Sequence, residues 1–216
     1  MAYRYRDGAR RAAPLAVAAL AFGVSFGVLA DAAGMGAAAA VVMSATTFAG
    51  SAQFAAISVL ETAGAAAAAI TAAVLLNARY APISITVAPE FTGSRWRRLI
   101  EAQMILDESW ALSSHGEGRF DRRLLIGAGL TLYVPWVAGT AVGALGADFF
   151  GDPKTLGLDA AFPALFLALL VPQIRSRRPL AAALLGGAIA LALIPFTSPG
   201  IPIIAASTAC ALGLRR

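Results

Sequence analysis

A group of small and polar residues interrupts a long apolar stretch in the first third of the chain. The stretch runs from about residue 35 to residue 60, and its middle carries Ser44, Thr46, Thr47, Gly50, Ser51 and Gln53. A segment that faced only lipid would have no use for these groups, and transporters place their substrates at interrupted helices of this kind. We expect Ser51, Gln53 and the backbone around Gly50 to hydrogen-bond a polar solute, with Phe48 and Phe54 as an apolar wall. The other interpretation is that Gly50 and the small residues allow close helix packing, with Gln53 bonded to a neighbouring helix.

A cation lies inside the next apolar segment. Arg79 follows Asn77 by two residues and stands about eight residues, or about 12 Å, before the end of that segment. A charge at the middle of a membrane helix costs roughly 2.5–3.5 kcal/mol, so it usually faces a cavity or a partner. Two interpretations stay open: an ion pair with Asp107 or Glu108, or a functional cation. A functional cation would bind a substrate carboxylate, with Asn77 beside it, or tune a proton-carrying acid.

Two adjacent acids, Asp107 and Glu108, are flanked by Leu106 and Trp110. Neighbouring residues on a helix point about 100° apart, so one acid can face the protein while the other meets water. They are either ordinary surface charges or candidates for proton coupling, because an acid near the protein interior changes its proton affinity with its solvation.

Composition predicts an all-α polytopic membrane protein that forms a single transmembrane domain over residues 1–216. The chain is 59% hydrophobic and only 13% charged, against about a quarter charged in soluble domains. The net charge of +5 does not indicate nucleic-acid binding, because its arginines sit in short clusters between apolar segments. One His and one Cys are too few for a recognisable metal site, and no hydrolase or phosphate-loop motif is present. We therefore expect no metal, no cofactor and no enzymatic activity.

Arginine placement predicts the topology. Apolar segments lie at about 12–33, 35–60, 63–87, 124–146, 160–173, 180–197 and 201–214. If all seven crossed, the arginine-rich connector at about 89–123 would lie outside, against the tendency of cytoplasmic loops to hold arginine. We predict about six crossings plus a re-entrant or broken helix hairpin near 35–60, both termini cytoplasmic, and an amphipathic helix at 99–114 in a cytoplasmic connector. The alternative sends both 35–60 and 99–114 across the membrane.

Several patches of the sequence look familiar together. They are Phe22 to Ala30, the string Phe-Ala-Gly-Ser-Ala-Gln-Phe at 48–54, Asn77-Ala78-Arg79-Tyr80, Leu106 to Leu112, Pro135 to Thr140 and Gly157 to Phe166. In this order, over roughly residues 14 to 178, the chain resembles the AzlC family, the large subunit of branched-chain amino-acid exporters. One departure is Tyr80, where we expect histidine in many relatives.

The resemblance implies a multi-pass protein of the bacterial cytoplasmic (inner) membrane that exports leucine, isoleucine or valine. It also implies coupling to the proton gradient and a small hydrophobic partner subunit of the AzlD type in the lipid bilayer. Two other functions stay open: a membrane-embedded enzyme acting on a lipid or small metabolite, and a non-transporting membrane scaffold.

Overall fold

The computed structural model describes residues 3–61, 66–115, 118–150, 167, 170, 171, 174, 176–197 and 201–210. These residues form helices, with one isolated bridge between Ser114 and Phe120. The helices are α1 (Tyr5–Ala32), α2 (Ala37–Thr47), α3 (Gly50–Glu61), α4 (Ala66–Asn77), α5 (Tyr80–Val87), α6 (Arg95–Ala102), α7 (Asp107–Ser113), α8 (Arg122–Leu145) and α9 (Ala147–Phe150), with two later ones at Arg177–Leu193 and Ile201–Ser207. The predicted all-helical class is confirmed over this part of the chain.

Three stretches in the described ranges are long and apolar enough to cross a membrane: Tyr5–Ala32, Ala66–Glu90 and Arg122–Leu145. A shorter apolar helix is Ala37–Thr47. The predicted segment at 180–197 corresponds largely to the helix Arg177–Leu193. Most of 160–173 and the end of 201–214 lie outside the described residues, so the number of crossings and the side of the termini stay predictions.

Glycines let α1 and α8 pack backbone against backbone. A Cβ added to Gly23 would lie 2.5 Å from the backbone oxygen of Trp136, and one added to Gly139 would lie 2.4 Å from that of Leu20. Small residues allow such close approach between helices in lipid, where apolar burial supplies little driving force. The residue numbers of the contacting pairs rise together along both helices: Gly8 contacts Leu124, Gly23 contacts Trp136, and Gly27 contacts Thr140. The two helices therefore run parallel.

The parallel pair places two arginine clusters at the same end. Arg11 of the first cluster donates to the backbone oxygen of Leu112 at 3.1 Å, and Arg123 donates to that of Tyr3 at 3.3 Å. If α1 and α8 both cross, an odd number of crossings must separate them. The topology with a re-entrant or broken hairpin places one crossing, 63–87, between them, and the alternative places three, 35–60, 63–87 and 99–114. Both therefore satisfy this condition. A topology in which only 35–60 and 63–87 cross between α1 and α8 does not.

The predicted break near 35–60 is present at Phe48 and Ala49, between α2 and α3. Phe48 adopts a left-handed backbone conformation with φ 41° and ψ 50°, which a bulky residue rarely takes and which costs about 1–3 kcal/mol. Side chains from two other elements satisfy the carbonyls that α2 leaves free. Gln103 donates to Thr46 at 2.9 Å, and Tyr133 donates to Ala45 at 3.0 Å. The broken backbone is thus enclosed by protein, as a membrane requires.

A second break lies within the predicted apolar segment 63–87. It falls at Ala78 and Arg79, between α4 and α5. Pro82 explains its position, because a proline has no N–H to donate to the carbonyl four residues earlier, here that of Ala78, and its ring crowds that carbonyl. Arg79 therefore lies at a helix break rather than inside a straight helix.

The connector also differs from the prediction, because the expected single helix at 99–114 is two short helices. Residues 103–106 separate α6 from α7. The hydroxyl of Ser109 accepts from the backbone N–H of Leu106 at 2.9 Å and donates to the carbonyl of Met104 at 2.7 Å. This local capping starts α7 at Asp107 and places both acids in its first turn, where the helix dipole favours negative charge.

Candidate functional site

A cavity of about 220 Å³ lies where the two helix breaks, the start of α7 and the middle of α8 come together. Its lining includes six of the nine residues predicted from the sequence: Phe48, Gly50, Ser51, Arg79, Asp107 and Glu108. Residues more than fifty positions apart are thus brought to one place. The cavity is smaller than the roughly 300–1,000 Å³ of pockets for drug-sized ligands, and this size suits a small metabolite.

Arg79 organises the polar side of the cavity. Its Nη2 donates to the hydroxyl of Ser51 at 2.7 Å and forms an ion pair with Oδ2 of Asp107 at 2.9 Å. The arginine side chain is 35% exposed and the aspartate side chain 29%, so both charges stay within reach of a solute. The guanidinium also lies over the ring of Tyr80, 5.2 Å from its centre. The ion-pair interpretation of Arg79 is correct for Asp107, and the pair lines a cavity.

Arg79 keeps hydrogen-bonding capacity beyond these contacts. Its Nε is buried and has no hydrogen-bond partner among the residues that the structure describes. Buried donors in proteins are nearly always paired, so an unpaired one beside a cavity is a candidate for contact with a ligand.

Glu108 is the second acid of the cavity wall. Burial raises the pKa of this carboxyl, and the negative charge of Asp107 raises it further, while the positive charge of Arg79 acts in the opposite direction. The α7 helix lies in the connector, outside the three candidate spans. A carboxyl with a raised pKa can exchange a proton closer to neutral pH than an exposed glutamate does.

The other side of the cavity is apolar. It is formed by Phe22 of α1, Phe48 of the first break, and Leu132 and Trp136 of α8. Phe48 packs edge-on against Tyr133, with ring centres 4.9 Å apart. One compact space is therefore lined by both charged groups and aromatic side chains.

Gln53, which the sequence predicts as a solute contact, is not among the residues that line the cavity. It is fully buried, and its Oε1 accepts from Trp136 Nε1 and from the backbone N–H of Ala49, each at 3.2 Å. Its Nε2 donates to Ser44 at 2.8 Å, and Ser44 bonds Thr140 at 2.7 Å. Gln53 therefore packs as the second interpretation expects, because its amide ties the first break to α8.

Phe54 and Asn77 also lie outside the cavity lining. Phe54 is 2% exposed and packs edge-on against Phe26 and Trp136, with ring centres at 5.8 and 6.3 Å. Asn77 lines a separate apolar space of about 410 Å³ beside α2, α3 and α4. Its Oδ1 is buried and lacks a hydrogen-bond partner within the described part of the chain.

Comparison with known proteins decides the family. The family model described as AzlC protein matches residues 14–150. The chain belongs to the AzlC family. The match spans both helix breaks, both acids and α8, so every residue of the cavity lies within it.

Relatives of this AzlC-family chain are named only as membrane proteins. It is 33% identical over 207 residues to an uncharacterized membrane protein of Archaeoglobus fulgidus, covering 95% of this chain and 91% of that one. It is 28% identical over 158 residues to an uncharacterized membrane protein of Helicobacter pylori strain 26695, covering 71% of this chain and 68% of the relative. No solved structure matches the chain. The family, the relatives and the apolar helices together show a multi-pass membrane protein of a transporter-associated family.

Sequence reasoning gave no role to several cavity residues of this AzlC-family protein. Phe22, Leu132 and Trp136 line the cavity, yet each lies in a long apolar helix where an aromatic or leucine normally faces lipid or core. Only Trp136 had a usable signal, since its indole N–H requires a partner when buried and Gln53 is a buried amide. Among the described residues, no group of three or more His, Cys, Asp or Glu could hold a metal ion.

Proposed function

We propose that this chain is the large subunit of a secondary transporter that exports branched-chain amino acids. The observation that carries the proposal is the mixed lining of the cavity, which combines the charged residues Arg79, Asp107 and Glu108 with aromatic side chains. A branched-chain amino acid has the same combination, because a zwitterionic head is joined directly to an aliphatic side chain.

The geometry suggests how the amino acid would lie. Its carboxylate would accept from Arg79 and from the first turn of α3, where Gly50 and Ser51 line the cavity. The first backbone N–H groups of a helix have no partner within the helix and carry its positive dipole end, which favours an anion. The ammonium would face Asp107 or Glu108.

The aliphatic side chain would pack against Phe22, Phe48 and Trp136. One methylene in an apolar pocket changes binding by only about 1–3 kcal/mol. We therefore expect leucine, isoleucine and valine to be handled with modest differences in affinity.

Proton coupling would follow from competition for Arg79. A substrate carboxylate that pairs with Arg79 would compete with Asp107 for the guanidinium charge and weaken their 2.9 Å ion pair. Asp107 lies next to Glu108 in the chain, and two like charges in one partly buried site favour uptake of a proton by one of them. Substrate binding and protonation would thus be linked through the same guanidinium.

The partner and the location are part of this proposal. We propose that a small hydrophobic subunit of the AzlD type accompanies the chain in the bacterial cytoplasmic membrane. The support is family membership and the exposed apolar side chains of α4 and α5, including Ile70, Val74 and Ile85, which need a lipid or protein neighbour.

The test is efflux of preloaded leucine or valine from vesicles that contain both subunits. We expect efflux by the wild-type pair and a strong loss in Arg79→Gln, with Arg6→Gln as a control that removes an exposed arginine remote from the cavity. Efflux that Arg79→Gln leaves unchanged would remove this site. Chemical turnover without efflux would support the enzyme alternative, and absence of solute binding would support the scaffold.

A further inference from the structure

A second concave space lies in the connector, away from the cavity described above. It has a volume of about 370 Å³ and lies between the end of the Ala66–Glu90 span and helix α6. Its apolar lining consists of Ala88, Phe91, Leu99, Ala102 and Ile105, with Ser84 at one side. We call it the α6 groove. Two exposed arginines, Arg95 and Arg98, complete its lining.

The three arginines of α6 divide into two kinds. Arg97 bonds Glu101 at 2.8 Å, and Arg122 Nε bonds the other oxygen of the same carboxylate at 2.8 Å. Arg95 and Arg98 have no ion pair with any residue that the structure describes. The two arginines of α6 that have no ion pair with a described residue are thus the two that line the α6 groove.

Exposure on α6 indicates that the groove faces the membrane. Trp96 is 77% exposed, Ile100 71% and Leu99 62%, although the same helix carries three arginines. An amphipathic helix with a tryptophan and basic residues is typical of a segment lying in the membrane interface. The groove also begins where a candidate span ends, which is where lipid headgroups are expected.

We propose that the α6 groove binds one anionic phospholipid, with an acyl chain along Phe91, Leu99 and Ile105 and the phosphate at Arg95 and Arg98. A free phosphate would leave the apolar floor uncovered. A zwitterionic lipid would bring its own cationic group beside the two arginines, whereas an anionic lipid brings a net negative charge to them. Arg95 is also the first residue of α6, so the positive end of the helix dipole adds to the attraction. The one acid of the adjoining turn, Glu90, is exposed and is not part of the lining.

The experiment is native mass spectrometry of the full chain, released from micelles that contain equal amounts of phosphatidylglycerol and phosphatidylcholine. We expect the wild type to retain one phosphatidylglycerol in preference to phosphatidylcholine. The double variant Arg95→Gln/Arg98→Gln should bind it about 30-fold more weakly, since each basic residue near an anionic lipid contributes about fivefold. The matched control is Arg6→Gln/Arg10→Gln, which removes two exposed arginines elsewhere.

A third variant separates a built site from surface charge. Ala102→Trp fills the floor of the groove and keeps both arginines, so it should also lose the retained lipid. The proposal is overturned if the wild type shows no preference for phosphatidylglycerol. It is also overturned if the groove arginine variant retains the lipid as the wild type does, if the control pair loses it equally, or if Ala102→Trp has no effect.

Discussion

Arg79 and Ser51 each lie at a helix break, and the guanidinium of Arg79 donates to the hydroxyl of Ser51 across 2.7 Å. This bond joins two interruptions that are 28 residues apart in the chain. Interrupted backbone in a membrane is tolerated where protein or a cavity surrounds it, and here both breaks border the same cavity. The two breaks therefore form one site rather than two separate irregularities.

The guanidinium of Arg79 should be needed for substrate affinity. Arg79→Gln removes a charge-assisted hydrogen bond to the substrate carboxylate, worth about 1.5–3 kcal/mol, so leucine should bind about 10-fold or more weakly. Arg79→Lys keeps the charge but cannot reach Ser51 and Asp107 with one planar group, so we expect partial recovery. Equilibrium binding of labelled leucine measures the effect. Equal affinity in all three proteins would contradict the account.

Gln53 should matter for stability, and Ser51 for binding. Gln53→Leu leaves the N–H groups of Trp136 and Ala49 without an acceptor, which should lower the free energy of unfolding by about 2 kcal/mol or more. Ser51→Ala removes one cavity contact and should leave the thermal midpoint nearly unchanged while weakening leucine binding. Thermal unfolding and ligand binding of both variants check this. Our separation of roles would be wrong if Gln53→Leu were as stable as the wild type.

Gly50 should not tolerate a side chain. A Cβ there would lie 2.8 Å from Cη2 of Trp136, whose indole is held in place by Gln53. Overpacking of this kind costs about 1–3 kcal/mol, and moving the indole would narrow the cavity. The matched control is Gly187→Ala, because a Cβ at Gly187 meets nothing within 4 Å. We expect loss of efflux and a lower thermal midpoint for Gly50→Ala only, and equal behaviour of the two variants would contradict the prediction.

Glu108 should give the protein a pH-dependent stability. Its pKa is raised above the ordinary 4.5 by burial and by Asp107, so the folded protein holds this proton more tightly than the unfolded chain. The stability that Glu108 contributes by holding this proton is fully present below pH 4.5 and is lost as the pH rises through the folded-state pKa of Glu108. Glu101 acts oppositely, because the hydrogen bond from Arg122 lowers its pKa and its contribution is lost only as the pH falls below 4.5.

A series of thermal midpoints measured from about pH 5 upward therefore separates Glu108 from Glu101, because only a carboxyl with a raised pKa titrates in that range. We expect the midpoint of the wild type to fall over this range and that of Glu108→Gln to fall less. Asp107→Asn, which removes the charge that raises the pKa, should move the fall to lower pH. A Glu108→Gln profile that parallels the wild type would show that the carboxyl does not titrate there.

The sequence predicted the first break because its signal is local. Polar and small residues in an apolar run are visible without a structure, and the break falls at Phe48 and Ala49 among them. The second break was not predicted although Pro82 indicates it, because Arg79 was interpreted as a charge at the middle of a helix. The split of the connector helix depends on the bonds of Ser109 to Leu106 and Met104, which no periodicity reveals.

Whether a side chain faces the cavity was harder to predict than whether the residue lies near the cavity. Ser51 and Gln53 are two positions apart on α3, yet Ser51 meets Arg79 while Gln53 meets Trp136. Which neighbour each side chain reaches depends on how α8 packs against the break, and this long-range contact has no signature in the local sequence. The pairing of Arg79 with an acid could be expected from charge alone, because a lone charge in a membrane is costly.

The most direct test of the central claim is competition against labelled leucine by two analogues that each lack one end of the zwitterion. 4-Methylpentanoate keeps the carboxylate, and 3-methylbutylamine keeps the ammonium. If the cavity between the breaks binds both the carboxylate and the ammonium, each analogue should compete about 10-fold or more weakly than leucine. Arg79→Gln should then abolish the difference in affinity between leucine and the amine. Equal competition by leucine and the amine in the wild type would contradict the assignment of this cavity.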